Sequence, residues 1–130
     1  MRGKIVAVVA ACAAVVAPLA LAGEGAAKYV KIKESEWGIT GVPKNLKAGT
    51  PLHVTVTNEG SVVHELVLEK GNCVKQCAVV VGAHKAEIEG IEPGATKTAT
   101  WTITKPGRYT FTCRVPGHWK AGMHKTFTVT

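Results

Sequence analysis

Residues 109–123 read Tyr109-Thr110-Phe111-Thr112-Cys113-Arg114-Val115-Pro116-Gly117-His118-Trp119-Lys120-Ala121-Gly122-Met123. The first five residues alternate. Tyr109, Phe111 and Cys113 share one parity and Thr110 and Thr112 the other, the period of a strand with one face turned to a core. Cys113 therefore ends a strand on its inward side, beside two aromatic rings. Pro116 and Gly117 force a turn just before His118, and Gly122 allows another just before Met123. A loop this tight can bring a thiolate, an imidazole and a thioether to one point without any helix.

The same period recurs on the N-terminal side. Tyr29-Val30-Lys31-Ile32-Lys33 alternates, and Leu52, Val54 and Val56 alternate with His53, Thr55 and Thr57. Asn58-Glu59-Gly60 turns the chain, and Val62 to Glu69 resumes as a strand. His64 shares parity with Leu66 and Leu68 and looks inward; His53 goes with the threonines and faces water. Pro93-Gly94 turns again, and Ala99, Trp101 and Ile103 alternate with Thr98, Thr100, Thr102 and Thr104. Lys105-Pro106-Gly107-Arg108 reads as a hairpin connection into Tyr109. Phe127 and Val129 close the chain, alternating with Thr126, Thr128 and Thr130. Short strands of period two, with turns about every ten residues, predict an all-β antiparallel sandwich or barrel. No segment has a long helical period. Lys70 to Gly90 is irregular and holds a loop or a short helix.

The chain has 130 residues, and the first stretch reads as an address. Arg2 and Lys4 are basic, Ile5 to Ala17 is almost wholly apolar, Pro18 breaks the run, and Ala20-Leu21-Ala22 offers small residues for cleavage. Residues 1–22 are expected to be a secretory signal peptide. The apolar run is shorter than the roughly 20 residues a spanning helix needs. Val9-Ala10-Ala11-Cys12 also resembles a lipobox, but apolar residues follow Cys12 where a lipoprotein usually continues with a polar tether. Residues 23–130 are then one domain, exported or periplasmic, with no stable membrane insertion. Removing Arg2 and Lys4 takes the formal charge from +7 to +5. A modestly basic domain suits an acidic protein partner or an anionic membrane surface. Scattered lysines with no interleaved aromatics argue against nucleic acid.

Beyond Cys12, the cysteines are Cys73, Cys77 and Cys113. An odd count in an exported chain leaves one without an internal disulfide partner. Cys73 and Cys77 either close a short disulfide loop or, with His84, form a second copper site. Cys113 alone would read as a core residue. A nucleophile–base pair with His118 lacks an orienting third residue, and Met is a poor zinc ligand. Thiolate, thioether and imidazole together select copper, and two His, one Cys and a weak Met are the ligand set of blue-copper electron-transfer sites.

With these residues in place, the 109–123 segment resembles the C-terminal copper loop of the cupredoxin family. Four residues separate Cys113 from His118 and four separate His118 from Met123, a spacing similar to that of rusticyanin and the sulfocyanins. Asn58-Glu59-Gly60-Ser61-Val62-Val63-His64-Glu65-Leu66 resembles the strand that carries the family's first histidine. The resemblance spans roughly residues 48–130, most of a one-domain chain. It implies a Greek-key β-sandwich with one type 1 copper cycling between Cu(I) and Cu(II). His64, Cys113 and His118 would be equatorial ligands and Met123 axial. One departure is Glu65, where many cupredoxins place an Asn that braces the Cys strand.

The function expected on this basis is that of a monomeric, non-enzymatic carrier of single electrons between redox proteins. The alternative is copper tolerance or delivery. His118 would expose its ring edge as the electron's exit. Trp119 would either meet a partner or pack across the loop, and Arg114 and Lys120 would give that surface a basic rim.

Overall fold

Branched apolar side chains on one parity and threonines or lysines on the other produce strands where the sequence alternates. A computed structural model describes residues 26–71, 73 and 77–130; residues 1–22, read above as a signal peptide, lie outside them. The strands are β1 Lys28–Ser35, β2 Gly38–Thr40, β3 Asn45–Leu46, β4 Pro51–Asn58, β5 His64–Lys70, β6 Val80–Val81, β7 His84–Lys85, β8 Glu87–Ile91, β9 Thr96–Thr102, β10 Gly107–Thr112 and β11 His124–Val129. One helical turn, α1 His118–Ala121, precedes β11.

The strands form two packed sheets, ordered β2-β1-β4-β9 and β3-β11-β10-β5-β8, with a small β6-β7 hairpin beside them. This is the Greek-key β-sandwich. Val30, Ile32, Leu52, Val54 and Val56 face inward from the first sheet, and Leu66, Leu68, Tyr109, Phe111, Phe127 and Val129 from the second. Burying one such aliphatic or aromatic side chain contributes roughly 1.5–3 kcal/mol. Phe111 lies at the centre, with its ring 5.0 Å from Phe127 and 6.1 Å from Trp101.

The sandwich is not wholly antiparallel. β1 runs parallel to β4, and β3 parallel to β11. Between β1 and β4 the chain crosses to the other sheet as β3, so it re-enters the first sheet in its original direction. The 105–108 connection is not a hairpin either. β9 pairs with β4 in one sheet, while β10 pairs with β5 and β11 in the other. The turn carries the chain between layers, and the Tyr109 hydroxyl anchors it by donating to the Lys105 carbonyl at 2.7 Å. Parity is a property of one strand and cannot report which strand lies beside it.

The irregular span contains β6, β7 and part of β8. Its start folds over the outer face of the second sheet, where Thr110 donates to the Gly71 carbonyl at 2.6 Å. Thr110 and Thr112 are buried there, although their parity opposes the core.

Candidate metal centre

His64 opens β5 and Cys113 follows β10, its antiparallel neighbour, so both reach the same end of the second sheet. The loop after Cys113 closes on itself. The Cys113 N–H donates to the Met123 carbonyl at 3.0 Å, and the Met123 N–H to the His118 carbonyl at 3.1 Å. Where no helix was needed by the sequence reading, the structure has the α1 turn. Gly117 and Gly122 flank it with φ of 88° and 115°, conformations that side chains with a β-carbon avoid.

The three strongest donors meet. His118 Nδ1 lies 3.4 Å from Cys113 Sγ, His64 Nδ1 lies 3.9 Å from it, and the two Nδ1 atoms are 3.2 Å apart. All three residues are buried and no other described residues form such a cluster. Met123 is fully buried beside them. Edges of this length suit one ion held by bonds of about 2.0–2.3 Å, and the soft sulfur with two imidazoles suits copper. The residues that would hold the ion are His64, Cys113 and His118, with Met123 as the weak fourth ligand.

The protonation states agree. Burial pushes the Cys113 thiol up to about 11, helped by the Glu34 and Glu65 carboxylates and opposed by the backbone N–H groups of Glu65 and Val115. A metal entering there must displace a thiol proton. Burial also lowers the pKa of His118, with His64 adding to the effect, so its imidazole is neutral and able to ligate.

The surroundings give Glu65 and Asn58 roles the sequence reading did not show, and add Glu36 and Trp37, which it passed over. Glu65 does not supply an Asn-like brace; instead its backbone N–H points at Cys113 Sγ, 3.4 Å away, beside a register irregularity between β5 and β8. Bracing comes from buried Asn58, whose Nδ2 donates to the carbonyls of Val62 at 2.7 Å and Ile91 at 2.8 Å, while its Oδ1 accepts from the Gly60 N–H. Glu36 accepts from the Ser61 and Val62 N–H groups and meets His64 Nε2 at 3.2 Å. Burial tends to raise the Glu36 pKa, but the N–H groups of Val62 and Ser61 and the bond to His64 outweigh it and hold the carboxyl below its usual range. Trp37 meets the His118 ring edge-on, with centroids 4.9 Å apart.

Two expectations change, for His118 and Arg114, and two open alternatives resolve, for Trp119 and for the Cys73–Cys77 pair. His118 is 8% exposed, not open to solvent; Trp37, 49% exposed, is the exposed aromatic beside it. Trp119 packs across the loop, stacked on His124 at 4.7 Å. Arg114 turns inward to Glu69, so of the basic rim only Lys120 stays exposed. Cys73 and Cys77 are joined as a disulfide and His84 is exposed on β7, so the two sulfurs are not free thiolates for a second site. His53 lies away from the donors, against Thr100 and Tyr29.

The copper binding proteins of the plastocyanin/azurin family match residues 21–130. The chain belongs to this family. Copper is the cofactor of this cupredoxin. Among known proteins it is similar to a copper-resistant cuproprotein, CopI, of Rubrivivax gelatinosus, with 31% identity over 85 residues, 60% of this chain and 51% of that one. A second CopI, of Pseudomonas aeruginosa, is 49% identical over 39 residues, 30% of this chain and 22% of that one. The chain thus spans about half the length of the first relative and less of the second. In fold, the cupredoxin resembles auracyanin of Roseiflexus castenholzii, with a TM-score of 0.62, 24% identity and 82% and 99% of the two chains covered. Rusticyanin of Thiobacillus ferrooxidans aligns with a TM-score of 0.58 and 20% identity over 79% and 78%.

The cupredoxin core carries a further titratable group. Glu34 follows Val30 and Ile32 on the inward face of β1, is fully buried, and neither carboxylate oxygen has a hydrogen-bond partner. Burial, with a contribution from Glu65, pushes its pKa up to about 8. Between the ordinary carboxylate range and pH 8 the folded chain holds a proton that the unfolded chain releases, so stability falls as pH rises through that window. In the copper-free protein, Glu34→Gln is expected to remove this decline. Relative to wild type the variant should gain about 3–4 kcal/mol between pH 5 and pH 8, the scale set by 1.36 kcal/mol per pKa unit over the rise from 4.5 to about 8. Urea unfolding at a series of pH values measures it, and parallel curves for the two proteins would contradict it.

Proposed function

We propose that this cupredoxin is an exported, non-enzymatic carrier that passes single electrons between redox proteins. The observation that supports this is the closed donor set: three ligating atoms stand within bonding reach of one point, buried, and fixed by backbone hydrogen bonds on both sides. A bound copper supplies a one-electron couple there. Ligands already in place for both oxidation states have little to move when an electron arrives. Export follows from the leader reading. Among the described residues no helix is long and apolar enough to cross a membrane. Trp37, with exposed Val62 and Val63 nearby, offers an apolar contact surface next to His118 for a protein partner.

A second reading, copper tolerance or delivery, is favoured by the description of both CopI relatives as copper-resistant. The two readings differ in what leaves the protein. The Cu(I) form should be mixed separately with an outer-sphere oxidant and with an excess of a cuprous chelator. A carrier is oxidised at its first encounters and keeps its metal long afterwards. Copper loss to the chelator as fast as oxidation would replace the carrier reading with copper handling.

A further inference from the structure

Glu36 lies in the turn between β1 and β2 and faces two ways. Its Oε1 meets His64 Nε2 at 3.2 Å, and the same carboxylate accepts from the Ser61 N–H at 2.9 Å and the Val62 N–H at 3.2 Å. The Ser61 hydroxyl adds a longer contact at 3.4 Å. The Glu36 side chain is 26% exposed, and the next residue, Trp37, lies against the other histidine. The 59–63 loop leaves room for it: a β-carbon on Gly60 would collide with the Glu36 carboxylate.

An ionised carboxylate only accepts, so the imidazole nitrogen facing it must carry the proton. That leaves His64 Nδ1 with its lone pair, and Nδ1 is the atom turned toward Cys113 Sγ and His118 Nδ1. A carboxylate on the far nitrogen of a metal-bound histidine also raises the ligand's basicity. Its negative charge favours the more highly charged ion.

We propose that Glu36 is a positioning residue of the copper centre, which holds His64 in the tautomer that ligates through Nδ1 and biases the site toward Cu(II). The proposal rests on the copper centre and not on the carrier reading. Removing the anion should therefore raise the Cu(II)/Cu(I) midpoint potential.

Glu36→Gln keeps an acceptor oxygen and removes the charge. The ratio of Cu(I) to Cu(II) affinity should rise about tenfold, the lower end of the range for such outer partners, which for one electron is 59 mV upward. Gly60→Ala keeps the charge but displaces the carboxylate, and should shift the potential the same way by less. In the metal-free wild type, nitrogen-15 NMR should find His64 protonated at Nε2, and Glu36→Ala should yield a mixture of tautomers. A metal-free wild type protonated at Nδ1 would overturn the proposal. So would potentials unchanged in both Glu36→Gln and Gly60→Ala with copper bound. The tautomer is read without metal or redox partner, so it is unaffected if the protein proves to handle copper instead of carrying electrons.

Discussion

Cys113→Ser is expected to abolish the intense visible absorption of the copper-loaded protein. That band belongs to a thiolate bound to Cu(II), and Cys113 is the one sulfur at the centre that can ionise; Met123 is a neutral thioether. Serine is nearly isosteric, so the buried position beside Phe111 stays filled and the fold should survive. The hydroxyl is a hard, weakly acidic donor and a poor copper ligand. Copper should then bind weakly through His64 and His118, with a nearly colourless spectrum. His53→Ala is the matching control, because His53 contacts Thr100 and Tyr29 on the other sheet, and it should leave the band intact. A band that persists in Cys113→Ser would mean that Cys113 is not the ligand.

The second large effect concerns the residue after that ligand. Arg114 donates through Nε to Glu69 Oε1 at 2.8 Å and through Nη2 to the other carboxylate oxygen and to the Cys73 carbonyl at 2.6 Å. Glu69 is fully buried. The Cys77 N–H also approaches Glu69, at 3.4 Å, so one ion pair joins the disulfide loop to the strand that ends in the cysteine ligand. Arg114→Met would leave a buried carboxylate without its cation, and such a break typically costs about 3–5 kcal/mol. Chemical denaturation of the metal-free, disulfide-intact protein at neutral pH measures it. Replacing both partners, Glu69→Leu with Arg114→Met, should restore most of the loss, because it is the unpaired charge and not the missing bond that destabilises. If the single variant were as stable as wild type, the pair would be contributing nothing.

Much of the centre is local in the chain, and for that reason legible in it. Cys113, His118 and Met123 lie within eleven residues, separated by turn formers, and His64 declares its face by parity with Leu66 and Leu68. Glu34 was equally open to reading, since it shares parity with Val30 and Ile32. A charge on an inward position is a signal in itself. Glu36 and Trp37 left no such mark. They lie in a turn without period, about thirty residues before His64, and nothing in their spacing points to it.

The sequence by itself thus determined the kind of metal, the set of ligands and the class of fold: the 109–123 stretch carries three of the four ligands, and the strand period along the rest of the chain adds His64 and the β-sandwich, because donor chemistry and strand period are written residue by residue. Which strands are neighbours was decided only in three dimensions: β1 beside β4 in parallel, and β9 and β10 in separate sheets. Tertiary structure also placed Glu36 on the far nitrogen of His64, Trp37 over His118, and Arg114 against Glu69 instead of in solvent. These contacts join distant segments, and their geometry depends on how two twisted sheets close over a shared core. A period-two pattern specifies which way a side chain faces. What it faces is set by packing, and through that packing the structure supplies the groups that position and shield the copper ligands.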